Sequence, residues 1–198
     1  HLYPGGKGAN QAVAARRLGG DVEMIGCVGD DENGRAFLRL LEEEGVYSEH
    51  VRVCRGVPTA VAQVQINRCR ENKIVVIPAA NHAFTAKDVR ALEPILRGTD
   101  LVVMQLELPR ETSFELLRLC DCLRKPLILN PAPAFPLPNE LLACASYVTP
   151  NETELEILSG RPVRTEGDAF AAADVLLDAG VRAAVATVDP RGALTSGA

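Results

Sequence analysis

At 198 residues, 47% of them hydrophobic and with both charge signs interspersed, the chain is long enough to bury one sizeable core, which agrees with a soluble α/β domain. A net charge of −5 without any Lys/Arg run argues against nucleic-acid binding, because nothing clustered would neutralise phosphates. The uninterrupted apolar stretches fall far short of a membrane span and the N-terminus lacks a charged-then-apolar export pattern, so no membrane partner and a cytoplasmic location are expected.

In chain order, Pro4-Gly5-Gly6-Lys7-Gly8-Ala9-Asn10-Gln11 opens straight into the apolar-periodic run Ala12 to Leu18. Glycines let backbone N–H groups approach a ligand closely, and the helix that follows points its free N–H groups at whatever binds. A Walker loop would need Ser or Thr after the lysine, where Gly8 stands, and no G-x-G-x-x-G is present because Gly6-x-Gly8 is followed by Gln11. What remains is a Gly-Gly-Lys-Gly-x-Asn loop. Lys7 offers donors and Asn10 a donor beside an acceptor, a set suited to the vicinal hydroxyls of a neutral polyol, against the plainer alternative of a Gly-rich turn with a solvated lysine.

Val22 to Val28 reads as a strand, followed by Gly29-Asp30-Asp31 and a helix from about Asn33 to Glu44 closed by Gly45. Two alternating stretches, Thr59 to Asn67 and Lys73 to Pro78, then read as a β-hairpin that interrupts the βα rhythm. From Thr85, an N-cap with Asp88 three residues on, a helix runs to Leu96 and Gly98. Strand-like runs at Asp100–Met104, Pro126–Leu129, Ser146–Val148 and Arg182–Ala186 alternate with helical patterns at about 111–123, 138–144, 151–159 and 166–179. That rhythm implies right-handed crossovers and a parallel sheet, with no repeat or interdomain linker, so residues 1–198 are expected to form a single domain.

Directly after the four runs stand Gln105-Leu106-Glu107, Asn130, Thr149-Pro150-Asn151 and Thr187. Open parallel sheets bind ligands outside the carboxyl ends of their strands, so these polar groups are expected to line one crevice. Asn151 and Glu154 are equally consistent with a plain capping box at the start of the next helix. The six cysteines, at 27, 54, 69, 120, 122 and 144, show no zinc spacing, and Cys120-x-Cys122 lies in a helical pattern where i and i+2 face apart; small buried thiols are the expectation.

Gly5-Gly6-Lys7-Gly8-Ala9-Asn10-Gln11-Ala12, with Gly19 and Gly29 at their spacings, resembles the first signature of the ribokinase-type (pfkB) carbohydrate kinases. Gln105-Leu106-Glu107, Asn130-Pro131-Ala132-Pro133-Ala134 and Thr149-Pro150-Asn151-Glu152-Thr153-Glu154 match further along in family order. The resemblance implies a three-layer α/β/α fold with a mostly parallel sheet and a small β lid, to which the hairpin 59–78 would contribute by excluding water from phosphoryl transfer. It also implies ATP-dependent phosphorylation of a pentose, with D-ribose at its primary hydroxyl as the expected substrate. Gly5, Gly6, Lys7, Asn10 and Glu107 would hold the sugar, Asn151 and Thr187 the nucleotide, and Glu154 a magnesium ion through water. A single carboxylate plus phosphates suffices for an ion that keeps its waters.

Two departures qualify that picture. Asp189 replaces the glycine of the family's Thr-x-Gly segment beginning at Thr187, and an aspartate there is expected to repel the triphosphate. The family's Gly-Ala-Gly-Asp, whose aspartate is the general base, does not occur, and neither does the family's first strand. No catalytic base is therefore assigned, and this stretch alone is expected to be inactive. A non-catalytic sugar- or partner-binding protein, or a kinase for fructose, deoxyribose or a nucleoside, are the alternatives. The residues leave open activation by a monovalent cation such as K+ and pairing as a homodimer through the lid.

Overall fold

The computed structural model describes residues 4–66, 72–188 and 192–197. Their contacts gather into two compact units, His1–Phe84 and Thr85–Ala198. Among the described residues, no helix is long and apolar enough to cross a membrane.

The first unit opens with α1 (Lys7–Arg17), β1 (Glu23–Gly29), α2 (Glu32–Glu43) and β2 (Tyr47–Cys54). Helix α2 starts where Asp31 accepts the Gly34 N–H at 2.8 Å and gives way to Gly45, which turns the chain at φ 70°. β1 and β2 pair in parallel, with Gly26 opposite Val51 and Val28 opposite Val53. The core of this unit is Ala12, Val28, Leu41, Val46 and Val51, flanked by Val22, Met24, Phe37 and Leu38. The sequence pattern did not announce β2. Along its eight residues only Val51 is buried, and the exposed His50 and Arg52 beside it break any alternation.

The expected hairpin is present. β3 (Val61–Ile66) and β4 (Asn72–Ile77) pair antiparallel from Val61 opposite Ile77 to Ile66 opposite Asn72. Most of the polar segment expected to join them, including Cys69, lies outside the described residues. A short 3-10 helix, Ala79–Ala83, closes the unit.

In the second unit, the expected helix from Thr85 is two helices, α3 (Ala86–Ala91) and α4 (Glu93–Gly98). Pro94 in the first turn of α4 supplies the reason, because proline fits a helix start and breaks a helix interior. Then follow β5 (Val102–Gln105), α5 (Arg110–Cys122), β6 (Leu127–Asn130), α6 (Asn139–Leu142), β7 (Tyr147–Val148), α7 (Glu152–Ser159), α8 (Glu166–Asp178), β8 (Ala183–Val188) and β9 (Gly192–Gly197). The sheet order is β5-β6-β7-β8-β9, parallel except for β9, which runs antiparallel to β8. That last strand was not expected, because Gly192-Ala193-Leu194-Thr195-Ser196-Gly197 has a glycine at each end and little β-branching. Leu117, Leu127, Leu129, Val148, Leu155 and Leu176 are fully buried. Burying each such side chain contributes roughly 1.5–3 kcal/mol.

Candidate active site

The residues singled out from sequence fall in both units. In the first, Gly6 sits at φ 105°, ψ 154° as the N-cap residue of α1. A side chain would be strained there, so glycine is what lets the chain turn into the helix at this point. Helix α1 consequently begins at Lys7, inside the glycine cluster, and not with the apolar run at Ala12. Its first internal bond is Asn10 N–H to Gly6 carbonyl at 3.0 Å. Asn10 is exposed in that first turn, and its Oδ1 lies 4.0 Å from where a Cβ on Gly5 would stand. Gly5, Gly6, Lys7 and Asn10 therefore form one compact polar turn.

In the second unit, the carboxyl ends of the parallel strands bring the expected row together. Gln105 is opposite Asn130 in the β5–β6 register. Asn130 Nδ2 donates to the Thr149 carbonyl at 3.1 Å, and Thr187 N–H donates to the Pro150 carbonyl at 2.9 Å. Asn151 and Thr187 form a parallel bridge just beyond β7. Leu106 N–H donates to the Ala132 carbonyl at 3.1 Å, which ties the turn bearing half-buried Glu107 to the Pro-rich segment after β6. The strand ends thus bring Gln105, Asn130, Asn151 and Thr187 together along one edge of the sheet.

The capping box at α7 is also real. Asn151 N–H donates to Glu154 Oε2 at 2.9 Å, and Glu154 N–H donates to Asn151 Oδ1 at 2.8 Å. Those bonds occupy one carboxylate oxygen and leave Oε1 and the Asn151 amide nitrogen outside the box. Among the described residues no group of three His, Cys, Asp or Glu side chains could hold a metal. Glu154 Oε1 is a hard oxygen of the kind that magnesium takes through a bound water. Asp189 lies outside the described residues.

Of the described cysteines, Cys27 and Cys120 are buried as expected, while Cys54 and Cys144 are only half-buried. Burial pushes the Cys27 thiol up to about 11 and the Cys120 thiol up to about 12, so neither supplies a thiolate near neutrality. Cys122 is exposed while Cys120 is buried, as expected for positions i and i+2 of a helix. Sequence reasoning passed over Asp31 and Thr59, whose side chains meet across 28 residues.

The profile of the pfkB family carbohydrate kinases matches residues 1–198. The chain belongs to the pfkB family. Among family members, ribokinase of Haemophilus influenzae is 38% identical over 192 residues, which cover 97% of this chain and 63% of that protein. Deoxyribokinase of Salmonella typhi is 37% identical over 191 residues, 96% of this chain and 62% of its own length. An Arabidopsis thaliana ribokinase solved with ribose and ATP superposes with a TM-score of 0.85 at 28% identity, covering 96% of this chain and 62% of that one. The chain thus spans less than two thirds of the length of these pfkB relatives, and over that span it has their α/β fold with a mostly parallel sheet.

Proposed function

We propose that the protein is the sugar- and nucleotide-binding part of an ATP-dependent pentose kinase, with D-ribose as its acceptor sugar. The observation that carries this reading is the compact turn Gly5–Asn10, which holds an exposed amide and a lysine at the start of α1 in a chain of the carbohydrate-kinase family. Both units belong to one kinase domain in this reading, since the family profile runs through them without a break. Gly5, Gly6, Lys7 and Asn10 meet sugar hydroxyls, and Glu107 accepts hydrogen bonds from the sugar. Asn151 and Thr187 face the nucleotide, which their shared bridge supports. Glu154 would hold a magnesium ion through water, and the ion would supply positive charge to the phosphates.

The chain's own contribution is to bind and orient. Bidentate polar groups on a rigid helix start hold a hydroxyl in one geometry, which is most of what phosphoryl transfer asks of a protein. Val75, Val76 and Ile77 on β4 are 44%, 47% and 59% exposed. Three consecutive apolar residues leave both faces of the strand open, which supports pairing of two copies through the hairpin. Sedimentation analysis should then give a dimer that Val76→Lys converts to monomer. The place of action in this reading is the cytoplasm, where ATP is available.

Deoxyribose is the second reading, because the Salmonella typhi deoxyribokinase is about as similar to this chain as the Haemophilus influenzae ribokinase is. Calorimetry with D-ribose, 2-deoxy-D-ribose, D-fructose and adenosine separates the readings. A site built to bond the 2-hydroxyl rejects the analogue lacking it strongly. Tightest binding by D-ribose supports the first reading, and equal or tighter binding of deoxyribose replaces it with the second.

A further inference from the structure

The base of the β3–β4 hairpin is fastened by one carboxylate. Asp31 Oδ1 accepts the Gly34 N–H at 2.8 Å, as an ordinary helix cap does, but it also accepts the Thr59 hydroxyl at 2.6 Å. Its Oδ2 accepts the Thr59 N–H at 2.7 Å. The Thr59 hydroxyl in turn accepts from the Gly29 N–H at 2.9 Å. Three donors on one side chain therefore join the first turn of α2 to the leg that leads into β3, with the end of β1 attached through Thr59. They hold the Asp31 carboxyl below the usual aspartate range, the Thr59 hydroxyl foremost, with the Arg35 guanidinium adding to the effect. Arg35 is itself shared with Asp30 and Glu32, each at 3.4 Å.

The surrounding backbone leaves no slack. A Cβ on Gly34 would overlap the Gly29 carbonyl oxygen and stand 3.0 Å from Thr59 Oγ1, while one on Gly29 would overlap the Val57 carbonyl and the Thr59 nitrogen. The outgoing leg is held at the same level, where the N–H of fully buried Ala80 donates to the Pro58 carbonyl at 3.0 Å. Beyond this level β4 exposes Val75, Val76 and Ile77. A firmly held base below exposed strand residues is the arrangement in which a hairpin can pivot at its base.

We infer that Asp31 is a positioning residue that sets the hinge of the hairpin through Thr59, beyond its service as a helix cap. That the hairpin closes on a sugar rests on the kinase reading above; that Asp31 fastens it does not. Asp31→Asn separates the two roles. Asparagine caps helices as well as aspartate does and retains one accepting oxygen, but it turns an NH2 group toward the Thr59 N–H.

Amide hydrogen exchange on this chain reads the outcome. Asp31→Asn should cost the Thr59, β3 and β4 amides about tenfold or more of their protection while β5 to β8 keep theirs. Thr59→Val should reproduce the loss, and Thr59→Ser, which keeps the hydroxyl, should restore the wild-type pattern. Thr59→Val leaves the α2 cap intact and carries the test should Asp31→Asn fail to fold. With D-ribose as ligand, the dissociation rate should rise about tenfold in Asp31→Asn, as for the loss of one hydrogen bond to a charged group. Unchanged hairpin exchange in Asp31→Asn would overturn the inference, and so would a loss of protection spread evenly over both units. If the wild-type chain binds no ribose, the kinase reading falls, and the exchange pattern still decides the role of Asp31.

Discussion

Two helix starts in this molecule use the same local chemistry to different ends. At α2, Asp31 takes the Gly34 N–H and then reaches Thr59 with both carboxylate oxygens. At α7, Asn151 and Glu154 close on each other in a capping box. The boxes at Thr85–Asp88 and Thr165–Asp168 have the same reciprocal bonds and sit at no expected ligand site. A satisfied box therefore says nothing for or against a role in binding. What distinguishes α7 is its place, bridged through Asn151 to Thr187 at the carboxyl edge of the sheet. What distinguishes α2 is that its cap is spent on a distant residue.

The contrast is broken most severely at Gly34. Gly34→Ala drives a methyl group into the Gly29 carbonyl and should destabilise the first unit by about 3 kcal/mol, near the upper end for overpacking. Thermal unfolding with exchange readout should show the loss in β1, α2 and the hairpin before the second unit. By comparison, Asn151→Ala removes a cap with no remote partner and should cost about 1 kcal/mol, confined to the start of α7. Chemical denaturation checks this value.

Acid sharpens the contrast further. The Asp31 and Asp168 carboxyls are both held below the ordinary aspartate range, by the Thr59 hydroxyl and by the Thr165 hydroxyl respectively. A carboxyl whose folded pKa is depressed contributes stability above its unfolded pKa and loses that contribution as pH falls through the folded value. Hairpin amides should therefore lose protection below the usual aspartate range, and Asp31→Asn should abolish that pH dependence. Acidification should loosen only the first turn of α8 through Asp168. Exchange measured from pH 6 downward, with the intrinsic rates corrected, distinguishes the two.

The smallest stability change is expected for Glu154→Gln, which keeps an accepting oxygen for the Asn151 N–H and should alter unfolding by no more than a few tenths of a kcal/mol. Its effect on binding is the informative part. If the carboxylate holds magnesium through water, calorimetry should show weaker Mg-ATP binding and a higher magnesium requirement with D-ribose affinity unchanged. Superimposable magnesium titrations of the two proteins would leave α7 an ordinary helix start.

How far the sequence reached depends on how local each determinant is. The strand-end row from Gln105 to Thr187 was legible because it follows from βα alternation and the rule that parallel sheets bind at their carboxyl ends. The capping residues Thr85 and Asn151 were equally readable as short-range patterns, whereas the cap at Thr165 was passed over. Strand β2 was not, since Val51 alone is buried among its eight residues, nor was β9 with a glycine at each end. The early start of α1 depends on one backbone angle at Gly6, which no periodicity reports. The Asp31–Thr59 clamp joins residues 28 apart, and each alone looks like an ordinary cap or strand residue.

The proposed sugar site is tested most directly at Asn10. Its side chain is exposed in the first turn of α1, so Asn10→Ala removes the amide without opening the core. Calorimetry of the wild-type and Asn10→Ala chains, each titrated with D-ribose and separately with Mg-ATP, should show ribose affinity falling about tenfold or more while Mg-ATP affinity holds. Equal loss of both affinities, or unchanged ribose binding, would contradict the assignment of the Gly5–Asn10 turn to the sugar.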